Sequence, residues 1–264
     1  MKTVLKNIFY GIVIGSSMLI PGVSGGTTAI ILGIYDKLIK SVSDIFGNFR
    51  KNIVFLLEIA FGGITGVLLF ARGLLWLSER FYFPVIYFFM GAIFGSIPLM
   101  IKKSEITVSN IYNVIFALIG IVIAISVKFI PENIFDNSLI MLFLCGMIIA
   151  VALILPGIST SHILLVFGIY ETALKAVSEL DWLYIAVLGG GVVLGILLFT
   201  KILGKLMYQF PSQTFMAITG FVMASVYDIF KGFPTVAEWP VCIILFMAAF
   251  SGVYFLSQKI PSES

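Results

Sequence analysis

Long uninterrupted runs of apolar residues dominate this chain and predict membrane-spanning helices. An α-helix rises about 1.5 Å per residue, so crossing a hydrocarbon core of about 30 Å takes about 20 apolar residues. Five runs meet or approach this length and a sixth is shorter; they cover 54–77, 83–101, 108–130, 183–206, 239–256 and, for the short one, 215–230. The pattern therefore predicts an all-α integral membrane protein.

Two further apolar stretches are each interrupted by helix-breaking and polar residues. The first, 4–39, is broken by Pro-Gly-Val-Ser-Gly-Gly at 21–26, and the second, 139–176, is broken by Pro-Gly-Ile-Ser-Thr-Ser at 156–161. Basic residues before the first stretch are typical of a signal peptide, but no small-x-small cleavage site ends it and the same pattern returns in mid-chain. We therefore interpret both stretches as broken membrane segments.

The two broken segments match each other in sequence. At an offset of 135 positions, Pro-Gly-x-Ser at 21–24 coincides with the same pattern at 156–159, and Gly-Ile-Tyr-Asp at 33–36 coincides with Gly-Ile-Tyr-Glu. At an offset of 129, Gly-Val-Leu-Leu-Phe-Ala-Arg coincides with Gly-Ile-Leu-Leu-Phe-Thr-Lys. Apolar composition alone produces scattered Leu and Ile matches, not these motifs at constant spacing. The sequence therefore predicts two membrane repeats, 1–134 and 135–264.

The distribution of positive charge predicts that the second repeat is inverted relative to the first. Each repeat has one broken segment followed by three spans. If the broken segments return to their own side and both termini are cytoplasmic, eleven of the sixteen Lys and Arg residues are cytoplasmic; single crossings give eight and eight. Arms of roughly 14 residues cover only about 20 Å. We therefore favour re-entrant hairpins, in a multi-pass protein of the bacterial inner membrane.

The composition excludes a soluble fold. Hydrophobic residues make up 60% of the 264 positions and charged residues 11%, well below the roughly 25% of soluble domains. The net charge of +3 is too small to indicate a nucleic-acid partner and fits Lys and Arg in short cytoplasmic loops. Cys145 and Cys242 lie in apolar runs, so we interpret them as small core residues rather than a disulfide.

The residues that follow each break suit the binding of an anion. Irregular backbone at membrane depth is tolerated where it is buried in protein or lines a polar cavity. Helix starts offer free N–H groups there, while glycines permit close approach and hydroxyls donate hydrogen bonds. The predicted two-sided cradle for a phosphate comprises Ser24, Gly25, Gly26, Thr27 and Thr28 in the first repeat and Ser159, Thr160, Ser161 and His162 in the second. The alternative is that both clusters only cap helices and permit tight packing.

Four ionisable residues in or near the apolar runs each have two interpretations. Arg72 and Lys201 occupy matching repeat positions and either extend to the membrane interface or act as charge partners for an anionic headgroup. Glu58 is the only acid well inside a span and is a candidate for binding a coupling ion, H⁺ or Na⁺. His162, the only histidine, is either a proton-sensitive group or a neutral cap.

Several common catalytic and nucleotide-binding motifs are missing from the sequence. The H-E-x-x-H pattern of metalloproteases and the Walker-type nucleotide patterns are missing, and a single histidine does not make a phosphatase centre. We therefore expect a protein that is not an enzyme and that uses neither a cofactor nor a metal. Its driving force would be an ion gradient or the gradient of its own substrate.

The paired motifs resemble the bacterial polyprenyl-phosphate transporter family. Pro-Gly-Val-Ser-Gly-Gly-Thr at 21–27 with Leu-Gly-Ile-Tyr-Asp at 32–36 resembles the first family motif, and 156–159 with Phe-Gly-Ile-Tyr-Glu at 167–171 resembles the second. The resemblance extends over essentially the whole chain. It implies a flippase that returns undecaprenyl phosphate from the outer to the inner leaflet, so that the lipid carrier of peptidoglycan and other envelope polymers is recycled.

Two other classes of function remain open. An ion-coupled transporter of a small soluble anion would need a closed aqueous cavity and no lateral opening for a lipid tail. A scaffold or envelope-assembly subunit without transport would leave the repeated cradle unexplained. Competition by water-soluble phosphates separates the first class from a lipid flippase, and the phenotype of cradle variants separates the second.

Overall fold

A computed structural model describes residues 2–19, 23–106, 108–130, 138–158, 160–230 and 232–258, and the regular structure of these residues is entirely helical. The first half contains α1 Lys2–Ser17, α2 Gly25–Ile31, α3 Tyr35–Ser43, α4 Phe49–Arg80, α5 Tyr82–Lys103 and α6 Ile115–Ser126. The second half contains α7 Leu139–Ile154, α8 Thr160–Val166, α9 Tyr170–Glu179, α10 Trp182–Gln209, α11 Pro211–Ile229 and α12 Trp239–Gln258. The predicted all-α class is confirmed for the described residues.

Four of these helices, α4, α5, α10 and α12, are long and apolar enough to cross a membrane. Each of these helices contains one of the predicted apolar runs, and three of the helices extend beyond both ends of their run. Of these four helices, α5 is largely buried, whereas most apolar residues of α4, α10 and α12 are at least partly exposed. Leu68 on α4, for example, is 75% exposed. Apolar surface of this extent fits lipid rather than water.

The predicted span 108–130 is less regular than expected. Only Ile115–Ser126 is α-helical; 3₁₀ turns at Val108–Val114 and Val127–Phe129 flank it, and the backbone kinks at Asn110. The buried amide of Asn113 donates a hydrogen bond to Ser212 Oγ at 3.0 Å, which ties this segment to the start of α11. A 3₁₀ turn rises about 2.0 Å per residue, so the segment is longer than its α-helix alone.

Close glycine contacts join α1 to α4 in the first half and α7 to α10 in the second. A Cβ on Gly62 of α4 would overlap the carbonyl oxygen of Ile8 in α1, and a Cβ on Gly191 of α10 would overlap that of Phe143 in α7. Gly62 and Gly191 are 129 positions apart, the offset found in the sequence. Small residues at such contacts let two helix backbones approach closely, which is a main source of helix association in lipid.

A second kind of glycine contact joins helices from different halves. A Cβ on Gly91 of α5 would overlap the carbonyl oxygen of Phe246 in α12, and a Cβ on Gly220 of α11 would overlap that of Ala117 in α6. Helices α5 and α11 also pack against each other. The two halves are therefore interlaced, because α12 of the second half packs against α5 of the first and α6 of the first packs against α11 of the second.

The Gly-Ile-Tyr sequence that follows each break is a helix stop. Gly33 and Gly168 have φ of +68° and +69°, left-handed values that glycine adopts without strain. In each case the next residue's N–H bonds the carbonyl five residues back, at 2.9 and 3.0 Å. This is the Schellman arrangement, and it ends the short helices α2 and α8. The next helices then begin at Tyr35 and Tyr170.

Candidate functional site

The two breaks lie side by side in the folded chain. A Cβ on Gly26, at the start of α2, would lie 3.2 Å from the carbonyl oxygen of Ile154 and 3.5 Å from Cα of Pro156. The hydroxyl of Tyr35 donates a hydrogen bond to the same Ile154 oxygen at 3.1 Å. The absence of a side chain at Gly26 therefore lets the helix start after one break approach the helix end before the other.

A cavity of about 440 Å³ lies where the breaks meet. Its walls are mostly apolar, and the described lining residues come from α1, α2, α3, α4, α7, α8 and α10 and from the segments between them. Four of the predicted cradle residues line it: Ser24, Gly25, Gly26 and Thr160. The structure thus brings part of the cluster after each break to one site.

Ser24 presents hydrogen-bond donors to this cavity. Its Oγ accepts from the backbone N–H of Thr27 at 3.1 Å, which makes Ser24 the N-cap of α2. The hydroxyls of Ser24 and Thr27 are also 2.8 Å apart. When Thr27 donates in this pair, the proton of the Ser24 hydroxyl stays available for a ligand. The N–H groups of Gly25 and Gly26 precede the first helical hydrogen bond, and no described residue accepts from them.

The sequence around Ser24 also matches a catalytic pattern by its letters. Residues 22–26 read Gly-x-Ser-x-Gly, as in hydrolase nucleophile elbows, where a strand precedes the serine and a base lies beside it. Here Ser24 caps a helix, and the partners of its hydroxyl are the amide and hydroxyl of Thr27. The local structure is that of a helix N-cap.

Thr27 and Thr28 differ from the expectation, because both side chains are buried beside the cavity rather than lining it. Thr28 Oγ1 lies 2.7 Å from Ser17 Oγ and so connects α2 to the end of α1. Thr27 is connected to the cavity through its hydroxyl contact with Ser24. Neither Thr27 nor Thr28 is among the described residues that line the cavity.

The second cluster is described in part. Thr160, the first residue of α8, lines the cavity. Ser159 lies outside the described residues. Ser161 and His162 belong to α8, but their side chains are outside the description. The expected contacts of these three residues stay predictions.

Arg72 and Lys201 are exposed on α4 and α10, and neither lines the cavity. Glu58 is half-buried on α4 and accepts a hydrogen bond from Nδ2 of the buried Asn7 at 2.6 Å, away from the cavity. Among the described lining residues there is no Lys, Arg, Asp or Glu. The described part of the cavity wall therefore offers an anion amides and hydroxyls.

Two polar residues of the cavity were missed by the sequence analysis. Tyr35 forms one wall, and its only signal was its place in the repeated Gly-Ile-Tyr motif. Thr200 lines the cavity from α10, and its hydroxyl donates a hydrogen bond to the Ile196 carbonyl at 2.6 Å. A lone threonine in an apolar run carried no signal.

Comparison with known proteins confirms the family resemblance. A family model described as undecaprenyl phosphate translocase-like matches residues 14–241. A polyprenyl-phosphate transporter of Staphylococcus aureus is 36% identical over 263 residues, which cover 92% of this chain and 93% of that protein. One from Vibrio cholerae is 31% identical over 236 residues, 84% of this chain and 76% of that protein. No solved structure matches significantly. This multi-pass membrane protein belongs to the undecaprenyl phosphate translocase-like family.

Proposed function

We propose that the chain is a flippase that carries polyprenyl phosphate, undecaprenyl phosphate above all, between the leaflets of the inner membrane. The observation that carries the proposal is the cavity between the two breaks, which is lined by Ser24, Thr160 and two glycines whose N–H groups have no acceptor among the described residues. Both relatives described above are named polyprenyl-phosphate transporters. The phosphate binds between the breaks and moves from the outer to the inner side.

The donors of the cavity suit a phosphate that must be bound and then released. An unpaired charge in hydrocarbon costs several kcal/mol or more, so the headgroup needs polar partners along its path. Helices α2 and α8 have seven residues each, so local N–H groups contribute more than a long helix dipole. The described lining residues include no Lys or Arg, so in this proposal hydrogen bonds rather than ion pairs hold the headgroup.

The apolar walls suit the part of the lipid next to the phosphate. Ile14, Leu38 and Ile196, among others, give the cavity an apolar lining from three helices. A cavity of about 440 Å³ holds the headgroup and the first prenyl units but not a whole undecaprenyl chain. The rest of the tail stays in the bilayer and leaves the site through a lateral opening. A soluble anion would have no use for such walls.

We further propose that the two repeats have opposite orientations, with re-entrant breaks and cytoplasmic termini. The recurring helix order and the matched glycine contacts of α1 with α4 and α7 with α10 support a repeat. The charge distribution supports the inversion. The driving force is a H⁺ or Na⁺ gradient, for which the Glu58–Asn7 pair is the candidate site, or the gradient of the lipid itself.

The test is leaflet exchange of undecaprenyl phosphate in proteoliposomes. A phosphatase added outside the vesicles reaches only outward-facing headgroups, so about half of the lipid is protected in empty liposomes. With the protein we expect nearly all of it to become accessible. Ser24→Leu and Thr160→Leu fill the cavity and should abolish exchange while the purified protein stays monodisperse.

Ser126→Leu is the matched control, because Ser126 is exposed at the end of α6 and its hydroxyl bonds only the Ile123 carbonyl of its own helix. This variant should exchange lipid like the parent protein. Normal exchange by both cavity variants would refute the binding site. If protection persists under imposed proton and sodium gradients of either sign, the substrate is not this lipid, and competition with soluble phosphates tests the transport of a soluble anion.

A further inference from the structure

The two copies of the Gly-Ile-Tyr motif have the same backbone but different surroundings. Tyr35 is 3% exposed, and its hydroxyl donates to the Ile154 carbonyl across the contact between the halves. Tyr170, its match at the offset of 135, is partly exposed, and no described residue accepts a hydrogen bond from its hydroxyl. Since the stops before both residues are the same, the difference comes from the position of the helix that follows.

Helices α3 and α9 occupy different places relative to the cavity. Helix α3 packs against α10, where a Cβ on Gly204 would lie 3.3 Å from Ser43 Oγ, and its inner face lines the cavity. Helix α9 supplies none of the described lining residues and leaves Leu174 58% exposed. The cavity therefore has a wall from the first half that has no equivalent from the second.

The carbonyl that accepts the Tyr35 hydrogen bond is available because α7 ends at the second break. Ile154 is the last residue of α7, and the chain leaves the helix at Leu155, so the Ile154 carbonyl has no partner within the helix. A buried carbonyl without a partner is costly, and Tyr35 satisfies this one. The residue that matches Ile154 at the same offset is Leu19, which precedes the first break.

We propose that Tyr35 and Tyr170 are alternating gate residues of the transport cycle. In the state described, α3 closes the cavity and Tyr35 holds it closed through the Ile154 carbonyl. In the opposite state α9 closes on the second side, Tyr170 donates to the carbonyl of Leu19, and Tyr35 releases Ile154. Each tyrosine thus positions a helix, and neither needs to touch the phosphate.

This inference rests on the proposed function, because a gate has meaning only for a transporter. With cytoplasmic termini and re-entrant breaks, α3 lies on the cytoplasmic side and α9 on the outer side. The structure then corresponds to a state that is closed toward the cytoplasm and ready to take lipid from the outer leaflet.

The test measures the access of water to the cavity from the cytoplasmic side. Thr200→Cys, in a background with Cys145→Ala and Cys242→Ala, places one thiol in the wall beside α3. Inside-out vesicles are treated with a membrane-impermeant maleimide, and the initial labelling rate is compared among Tyr35→Phe, Tyr170→Phe and the double variant. Tyr112→Phe, at an exposed position, is the control.

We expect opposite effects from the two gate variants. Loss of one hydrogen bond changes a two-state population by roughly two- to tenfold. Tyr35→Phe should raise the labelling rate by that factor, Tyr170→Phe should lower it, and the double variant should return toward the parent. A loss of structural stability alone would move both rates in the same direction.

Labelling of Tyr35→Phe at the rate of the control, or shifts of the same sign in both variants, would overturn the gate. The leaflet-exchange assay on the same proteins separates the two proposals. Opposite labelling shifts without any lipid exchange support the gate and refute the lipid substrate. Normal exchange without opposite shifts refutes the gate and leaves the flippase in place.

Discussion

Gly157 sets the path of the second break. Its φ of +83° lies in the left-handed region, which is strained for residues with a side chain. A Cβ on it would also overlap the carbonyl oxygen of Phe221 in α11. Backbone conformation and close approach thus both require glycine here, and the second break rests directly on a helix from the centre of the protein.

Replacing Gly157 by alanine should therefore destabilise the protein strongly. Strain at φ and a forced displacement of α11 together cost about 2–4 kcal/mol. Thermal unfolding of the purified protein in detergent measures the effect as a lower midpoint temperature. Gly189→Ala in α10 is the control, since nothing lies near a Cβ there and helix propensity favours alanine. Equal midpoints for the two variants would contradict this account.

The sequence was sufficient to identify the hydroxyl cluster after the first break. It did not show which of these hydroxyls line the cavity and which are buried. Ser24 lines the cavity, whereas Thr27 and Thr28 point into the protein. The division depends on how α2 is rotated about its axis, which is set by packing against α1 and α5. A short helix of seven residues carries too few side chains for a pattern to reveal that rotation.

At the scale of elements, paired glycine contacts hold the helices of each half together. Gly62→Ala in α4 should push α1 away, because its Cβ would overlap the Ile8 carbonyl oxygen. We expect a loss of about 1–3 kcal/mol, seen as a lower unfolding midpoint in detergent. Gly73→Ala, on the same helix with nothing nearby, should be neutral or slightly stabilising.

The matching glycine of the second half, Gly191, allows the same experiment to be repeated there. Gly191 in α10 is the match of Gly62, and its Cβ would overlap the Phe143 carbonyl oxygen of α7. Gly191→Ala should therefore lower the midpoint by a similar amount. If Gly73→Ala lowered the unfolding midpoint as much as Gly62→Ala or Gly191→Ala, the close helix contacts would not determine stability.

The long helices could be predicted from the length of their apolar runs. The short helices could not, because their apolar runs are too short to give a clear pattern. The run 54–77 lies within α4 because an apolar run of that length in lipid satisfies its backbone only as a helix. The stretch 4–39 was expected to be one broken segment, yet it contains α1, α2 and most of α3. The stop at Gly33 was visible as a repeated motif, but the motif alone did not show that it ends a helix.

At the scale of the whole molecule, an ion pair connects α3 to the buried helix α5. Lys103 at the end of α5 forms a salt bridge with Asp36 of α3, and its ammonium lies 5.7 Å from the ring centroid of Phe215 in α11. The residue that matches Lys103 at the offset of 129 is Gly232, which has no side chain to form such a pair with α9. The position of α3 seen here is therefore stabilised by a contact that the matching residue of the second half cannot make.

Asp36→Asn should loosen α3 without unfolding the protein. The substitution leaves the mostly buried Lys103 without its carboxylate partner. The packing of α3 against α5 should become less stable by about 1–2 kcal/mol. Hydrogen exchange of the α3 amides should become faster. Glu179→Gln is the control, because it breaks the exposed Lys175–Glu179 pair of α9 and should change little. Unchanged exchange in α3 would refute a role for the ion pair.

The contact between α5 and α12 has a consequence for biosynthesis. Gly91 of α5 finds its partner, Phe246, only when the last helix has been made. At typical rates of translation, α5 waits on the order of ten seconds before α12 emerges. During that interval the glycine-rich side of α5 faces lipid or an insertion factor. The growing polypeptide is therefore vulnerable to quality-control proteases in that window, and a ribosome that stalls before α12 leaves a product that cannot complete its core.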